Sequence, residues 1–200
     1  VNGTKMSKSL GNSFLPEELI SGDHPLLEKG YSAMTVRFFF LQANYKSTVD
    51  FSNDALQGAE KGFVKLMKAI ETLSKLATSP ETSVDIDILI NKCSASMNDD
   101  FNTPMTIAHL FDGVKMINSI NDGKATISNN DLEKLQKHYN TFVFDILGLI
   151  PQNSDTSSEE LPGELMNIII ELRKKSKENK DWGTADLIRD ELNKLNISIK

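Results

Sequence analysis

Two lysines near the start of the chain lie on a segment whose composition suits phosphate binding. Lys5 and Lys8 are separated by two residues, serines stand beside them, and Gly3 and Gly11 flank the segment. Lysine presents a compact positive charge to phosphate oxygens, while serine hydroxyls and exposed N–H groups add hydrogen bonds. Glycines allow such a loop to open and close. The segment is predicted to stabilise charge on a leaving pyrophosphate; a solvated surface turn is the alternative.

The same residues resemble a known signature. The run from Lys5 to Ser9 reads KMSKS, the signature of class I aminoacyl-tRNA synthetases, and Leu10-Gly11-Asn12 continues as in that family. The resemblance implies that the loop binds ATP and stabilises the transition state of amino-acid adenylation. It implies that Lys8 is the main catalytic contact and that Lys5 supports it. The implied ATP site comprises Lys5, Met6, Ser7, Lys8 and Ser9.

Three further segments resemble cysteinyl-tRNA synthetases in particular. They are similar to that family's HYRS…DFS, DDFNTP and KDW…AD.IRDEL stretches, and they lie at residues 44–52, 99–104 and 180–192. Asn44 and Lys46 stand where the family usually has His and Arg, and lysine cannot reproduce the bidentate contact of a guanidinium. The order of the segments along the whole chain identifies it with the C-terminal portion of that family.

The resemblance implies a larger enzyme with cysteine, ATP and tRNA(Cys) as partners. The family's HIGH nucleotide motif belongs to a Rossmann-type domain and does not occur in this sequence. The Cys, His and Glu ligands of the family's zinc ion belong to that same domain. Val1 opens the chain and a strand-like Ile197–Ile199 run closes it. We therefore expect a fragment that is inactive alone, with zinc bound outside this chain.

The sequence itself offers few metal ligands. It has one cysteine, Cys93, and three scattered histidines, His24, His109 and His138. A zinc site normally needs three or four clustered ligands, so no metal site is predicted within the chain. A disulfide within the chain is excluded, and Cys93 is expected to pack as a small apolar group.

Charge and hydropathy restrict the partners further. A net charge of −6 argues against binding nucleic acid through the global field of the protein, so any RNA contact must be local. No apolar run reaches the roughly 18–20 residues that span a bilayer, and no signal sequence is evident; a cytoplasmic monomer without membrane contact is expected. The candidate tRNA-binding residues are Arg173, Lys174, Lys175, Lys177, Lys180 and Arg189; a solvated helix face is the alternative for this cluster.

Hydrophobic periodicity predicts a mainly α protein. Four helices are predicted to begin at capping signals, after Ser32, Ser52 and Ser128 and at Thr103-Pro104. Three more are predicted over 84–97, 161–178 and 181–195. Helices with apolar stripes must bury them against one another, which predicts an antiparallel bundle. The resemblance implies that this bundle is of the class I synthetase anticodon-binding type. The predicted regions are 1–51 for the loop and connecting helices, 52–150 for the bundle, 151–160 for a linker and 161–200 for a C-terminal helical pair.

Other landmarks are expected to be structural. Phe51, Phe101 and Trp182 are predicted to anchor packing and not to stack on bases. Asp99 and Asp100 precede a helix and are expected to cap it.

Two other functions stay open at this point. One is a non-catalytic RNA-binding or interaction module that has kept the loop, and the other is a related ligase that activates cysteine for a small amine.

Overall fold

The computed structural model describes residues 1–151, 169–179 and 181–194. Its described residues are helical, with no strand among them, so the mainly α prediction is confirmed. The chain divides into two compact units, Val1–Pro151 and Gln152–Lys200. The predicted linker after Pro151, the start of the 161–178 helix and the strand-like terminus lie outside the described residues. No helix in the described part of the chain is long and apolar enough to cross a membrane.

The first unit holds the loop and six helices. A 3-10 turn at Lys8–Leu10 is followed by α1 (Pro16–Ser21), α2 (Ala33–Leu41), α3 (Asn53–Leu73), α4 (Ile86–Asn98), α5 (Thr103–Asn121) and α6 (Asn129–Tyr139). The last of these continues as a π-helical turn at Asn140–Ile146. In the second unit, α7 covers 169–178 and α8 is Trp182–Lys194.

The predicted serine caps are confirmed at three helices. Ser32, Ser52 and Ser128 each accept a hydrogen bond from a backbone N–H of the first turn, at Thr35, Ala55 and Asp131 respectively. A side-chain oxygen at this position satisfies an N–H that has no partner within the helix, which contributes about 1 kcal/mol. These local bonds fix where α2, α3 and α6 begin.

The predicted start of α5 is wrong by one residue. Asn102 is the cap, since its carboxamide oxygen accepts from Met105 N, and Thr103 is already helical. The Thr103 hydroxyl instead donates to the Leu41 carbonyl at 2.8 Å, a tertiary contact that competes with capping. The prediction that Asp99 and Asp100 cap this helix is also wrong. Asp99 is the C-terminal cap of α4, and the Asp100 carboxylate instead bonds Tyr45 and Lys46.

Fully buried apolar side chains from several helices form one core in the first unit. Leu66, Leu110, Ile117 and Leu135 have 0% exposure and lie on α3, α5 and α6. Each such side chain contributes about 1.5–3 kcal/mol through burial. Helix α5 packs against α4 and α3, and α3 packs against α2, so the bundle is continuous with the region that carries the loop.

The three consecutive phenylalanines of α2 connect the loop region to the bundle. Phe38 is fully buried against Phe63 of α3, with ring centroids 6.0 Å apart. Phe39 packs against Phe51 at 4.9 Å, and Phe40 packs against the same ring at 5.4 Å. Phe51 is therefore a packing anchor, as predicted, and its position fixes the segment that follows α2.

Phe101 and Trp182 do not anchor packing, and that prediction is wrong for both. Phe101 is 70% exposed and Trp182 is 61% exposed. Phe101 lies in the turn between α4 and α5 at a φ of 52°. Trp182 is the first residue of α8, and among the residues of that helix whose burial is described, Ala185 and Leu192 are buried.

Candidate functional site

The lysine loop is closed by the side chain of Asn12. Its carboxamide oxygen accepts from Ser7 N at 2.7 Å, and its NH2 group donates to the Lys5 carbonyl at 3.1 Å. Asn12 is 8% exposed and is the one buried residue among the first thirteen. The loop is thus tied from within, although its other residues face solvent.

A 3-10 turn shapes the part of the loop that contains Lys8. Leu10 N donates to the Ser7 carbonyl at 3.2 Å, and Gly11 N donates to the Lys8 carbonyl at 3.1 Å. Gly11 adopts a φ of 63°, which a residue with a Cβ adopts only at a cost. The hydroxyls of Ser7 and Ser9 are 2.8 Å apart and share a hydrogen bond.

The entrance to the loop is tied to the segment after α2. Both carboxylate oxygens of Asp50 accept from Gly3 N, at 3.0 and 3.1 Å, and Asn2 N donates to the Phe51 carbonyl at 2.9 Å. The hydrogen bond from Gly3 lowers the pKa of Asp50 below its usual range. Asp50 is therefore ionised at neutral pH.

Both lysines of the loop are accessible to solvent. The side chains of Lys5 and Lys8 are exposed, and neither forms an ion pair within the described part of the chain. Met6 and Ser9 are exposed as well, whereas Ser7 is half-buried. The five residues of the predicted ATP site thus form one short loop segment, and its two lysine side chains are exposed.

An apolar groove lies beside the loop. It has a volume of about 490 Å³, and Met6 of the loop forms part of its wall. Most of its lining is contributed by Phe14, Leu19, Ile20, Val36, Phe40 and Phe51. The loop thus has solvent on its lysine side and an apolar surface against Met6.

A second polar cluster joins two of the segments singled out by resemblance. The Tyr45 hydroxyl donates to Asp100 at 2.8 Å, and the Lys46 ammonium bonds the other oxygen of the same carboxylate. These bonds, that of Lys46 foremost, lower the pKa of Asp100. Asp100 and Phe101 both adopt positive φ, 56° and 52°. Sequence reasoning did not pair these residues, since they are more than fifty positions apart.

The predicted basic cluster is described only in part. Lys174, Lys175 and Lys177 are exposed on α7, and Arg173 on the same helix is half-buried. Lys180 lies outside the described residues. On α8 the guanidinium of Arg189 is 2.9 Å from Asp186 and 3.1 Å from Asp190, so acidic neighbours already surround it.

The described residues do not fit a zinc site. No group of three His, Cys, Asp or Glu side chains in this part of the chain could hold a metal ion. Cys93 is fully buried, and burial raises the pKa of its thiol to about 12, so it packs as a neutral apolar group, as predicted. His138 is buried too, which lowers its pKa to about 4.

Comparison with known proteins connects both parts of the first unit to one family. A family model described as the tRNA synthetases class I (C) catalytic domain matches residues 1–61, and one described as the DALR domain matches 92–151. The chain is 52% identical to the cysteine–tRNA ligase of Bacteroides fragilis, 50% to that of Parabacteroides distasonis and 48% to that of Bacteroides thetaiotaomicron. Each alignment covers 100% of this chain and 41% of the relative, so the chain spans well under half the length of these curated relatives. The chain belongs to the cysteine–tRNA ligase family of class I aminoacyl-tRNA synthetases.

Proposed function

We propose that the whole protein joins cysteine to ATP, forming cysteinyl adenylate and pyrophosphate, and then transfers the cysteine to tRNA(Cys). The observation that carries this proposal is the exposed pair Lys5 and Lys8 on a turn that Asn12 and Asp50 hold in place. The names of the relatives supply the amino acid. This chain alone is expected not to catalyse the reaction.

The loop residues have separate roles in the proposed activation step. The cysteine carboxylate attacks the α-phosphorus of ATP, and negative charge grows on the departing pyrophosphate. Lys8 meets that charge, Lys5 helps to orient the phosphates, and Met6, Ser7 and Ser9 complete the ATP site with backbone and hydroxyl groups. A cation placed in advance stabilises such charge more than one that must move into position.

The remaining partners are proposed from the same assignment. The basic residues of the second unit, Arg173, Lys174, Lys175, Lys177, Lys180 and Arg189, are proposed to face tRNA. Zinc, where the enzyme uses it, is assigned to residues outside this chain. The enzyme is proposed to act in the cytoplasm.

A single substitution tests the assignment of Lys8. In the full-length protein, Lys8→Ala is expected to slow cysteine-dependent ATP–pyrophosphate exchange by roughly a hundredfold or more, since a charge donor of this kind contributes several kcal/mol. The KM for cysteine should change little, because the lysine contacts the nucleotide. Lys61→Ala, which removes an exposed lysine of α3, is the matched control and should leave the exchange rate unchanged.

Two results would contradict the proposal at different levels. An unchanged exchange rate in Lys8→Ala removes this lysine from the mechanism. Failure of the wild-type full-length protein to exchange pyrophosphate with cysteine, or to charge tRNA with it, removes cysteine activation altogether. Exchange with cysteine but no charging of tRNA favours the ligase that uses a small amine.

A further inference from the structure

The side chain of Asn12 bonds to the backbone on both sides of the loop, and this arrangement has consequences for the lysines. Its two hydrogen bonds reach Ser7, the residue before Lys8, and the carbonyl of Lys5 itself. A carboxamide accepts through its oxygen and donates through its nitrogen, so the two ends of this one side chain match an N–H and a C=O group at the same time. Both lysines therefore have a backbone anchor in the same buried side chain.

The 3-10 turn that contains Lys8 lies inside the segment that Asn12 closes. Bonds from Leu10 N and Gly11 N complete that turn, and Asn12 follows it directly. Without Asn12, the exposed glycine and serines around the turn would leave its backbone free to sample many conformations. Holding the loop on the phosphates would then cost conformational entropy in every catalytic cycle.

We infer that Asn12 is a positioning residue for amino-acid activation, acting through the lysines and making no contact with ATP itself. Its carboxamide holds the backbone at Lys5 and Ser7 so that the Lys8 ammonium reaches the phosphates from a turn that is already formed. This inference rests on the proposed function, in which Lys8 meets the charge on pyrophosphate. It assigns to Asn12 an effect on the transition state, where preorganisation acts, and little effect on the binding of cysteine.

The test is a double-mutant cycle in the full-length enzyme. Asn12→Ala is expected to lower kcat for cysteine-dependent pyrophosphate exchange on the order of tenfold to a hundredfold, from the loss of two partly buried hydrogen bonds and of the fixed turn. The KM for cysteine should stay within about twofold. On a Lys8→Ala background, the same substitution should cost less than about threefold, because residues that act through one another are not additive.

Two further variants separate positioning from folding. Asn12→Asp keeps the size of the side chain and an oxygen for Ser7 N–H, but it turns a second oxygen toward the Lys5 carbonyl. It should therefore fold and still slow exchange by at least about fivefold. Asn91→Ala is the matched control, since Asn91 is exposed on α4 and forms no side-chain hydrogen bond among the described residues.

The outcomes distinguish this inference from the proposed function. The positioning role is overturned if both Asn12 variants keep the wild-type kcat. It is also overturned if Asn12→Ala lowers kcat by the same factor with and without Lys8. Either result leaves the proposed role of Lys8 intact. A normal exchange rate in Lys8→Ala alone overturns the proposed role of the lysine. The inference is supported if the Asn12 substitutions slow exchange in the enzyme that has Lys8 but cause no further loss on the Lys8→Ala background.

Discussion

Ionisable side chains of the first unit fall into two groups, and burial separates them. Lys5 and Lys8 are exposed on the loop, where a charge is available to a ligand. Cys93 and His138 are buried among apolar side chains, where a charge is costly, so burial raises the pKa of the thiol and lowers that of the imidazole. The buried pair therefore bear on stability, whereas the proposed role of the exposed lysines is in the reaction.

His138 should make the unfolding of the chain depend on pH. Its folded pKa of about 4 lies below the value of about 6.5 in an unfolded chain, so the unfolded state takes up the proton first. Stability is therefore full above about pH 6.5 and falls as the pH drops toward 4, by up to about 3 kcal/mol from this group. Urea unfolding of the wild type and of His138→Leu across this window measures the difference.

The difference between wild type and His138→Leu reports the imidazole alone, because the carboxylates titrate in both proteins and their effect on the free energy of unfolding cancels. Wild type should lose more free energy of unfolding between pH 6.5 and 4.5 than His138→Leu does. Parallel curves for the two proteins would show that the imidazole is protonated as readily in the folded state as in the unfolded one. The ring of Phe142, 4.6 Å from the imidazole, leaves an apolar neighbour for the leucine.

At the scale of helices, one glycine allows three of them to meet. A Cβ placed on Gly113 of α5 would lie 2.4 Å from the Tyr139 hydroxyl of α6 and 2.7 Å from a methyl group of Leu89 on α4. The tyrosine cannot move aside cheaply, since its hydroxyl donates to the Leu110 carbonyl at 2.7 Å and its side chain is fully buried. The close packing of α4, α5 and α6 thus depends on the absence of a side chain at this position.

Two glycine-to-alanine substitutions should change stability in opposite directions. Gly113→Ala is expected to lower the free energy of unfolding by about 1–3 kcal/mol through overpacking. Gly58→Ala, in α3 with no atom within 4 Å of its added Cβ, should raise it by up to about 1 kcal/mol, because alanine favours the helix. Denaturant unfolding of both variants measures these changes. Stabilisation by Gly113→Ala would show that the three helices are less tightly packed than the structure has them.

Helix starts were predictable where the chemistry is local, and helix ends were less so. Ser32, Ser52 and Ser128 bond N–H groups three residues ahead, which is visible in the sequence. The helix predicted after Ser128 continues beyond α6 as the π-helical turn Asn140–Ile146, a change of helix type that apolar periodicity does not predict. The guanidinium of Arg37 donates to the Leu147 carbonyl at 2.7 Å, from 110 positions away, and no local pattern contains such a partner.

At the candidate site, too, the local features were predictable from the sequence and the long-range contacts were not. Lys5 and Lys8 were found from residue types and resemblance, but the contacts that shape their loop were not. Asp50 reaches Gly3 across 47 positions, and Asp100 reaches Tyr45 across 55. Asn12 is close to the lysines in sequence, but a carboxamide in a polar loop carries no signal that it is buried. Burial depends on the folded surroundings, which neither composition nor periodicity describes.

At the scale of the whole molecule, charge is distributed unevenly. The chain has a net charge of −6, yet described residues of α7 include four basic side chains against two acidic ones. The negative net charge repels a polyanion such as tRNA, whereas the basic side chains of α7 attract it. Weak binding that depends on a few phosphate contacts is therefore expected of this chain, with the rest of the affinity supplied by the full-length enzyme.

The salt dependence of tRNA binding tests the proposed contribution of α7. Replacing Lys174, Lys175 and Lys177 together by alanine should weaken binding by the full-length enzyme and make the slope of log K against log salt shallower by roughly two to three units, because fewer counterions are released. The matched control replaces Lys61, Lys65 and Lys68, three exposed lysines of α3, and changes the net charge equally. If charge alone governed binding, the two triple variants would show the same affinity and the same slope. A smaller slope in the α7 variant only is the expected result, since counterion release counts phosphates in contact and not the total charge of the protein.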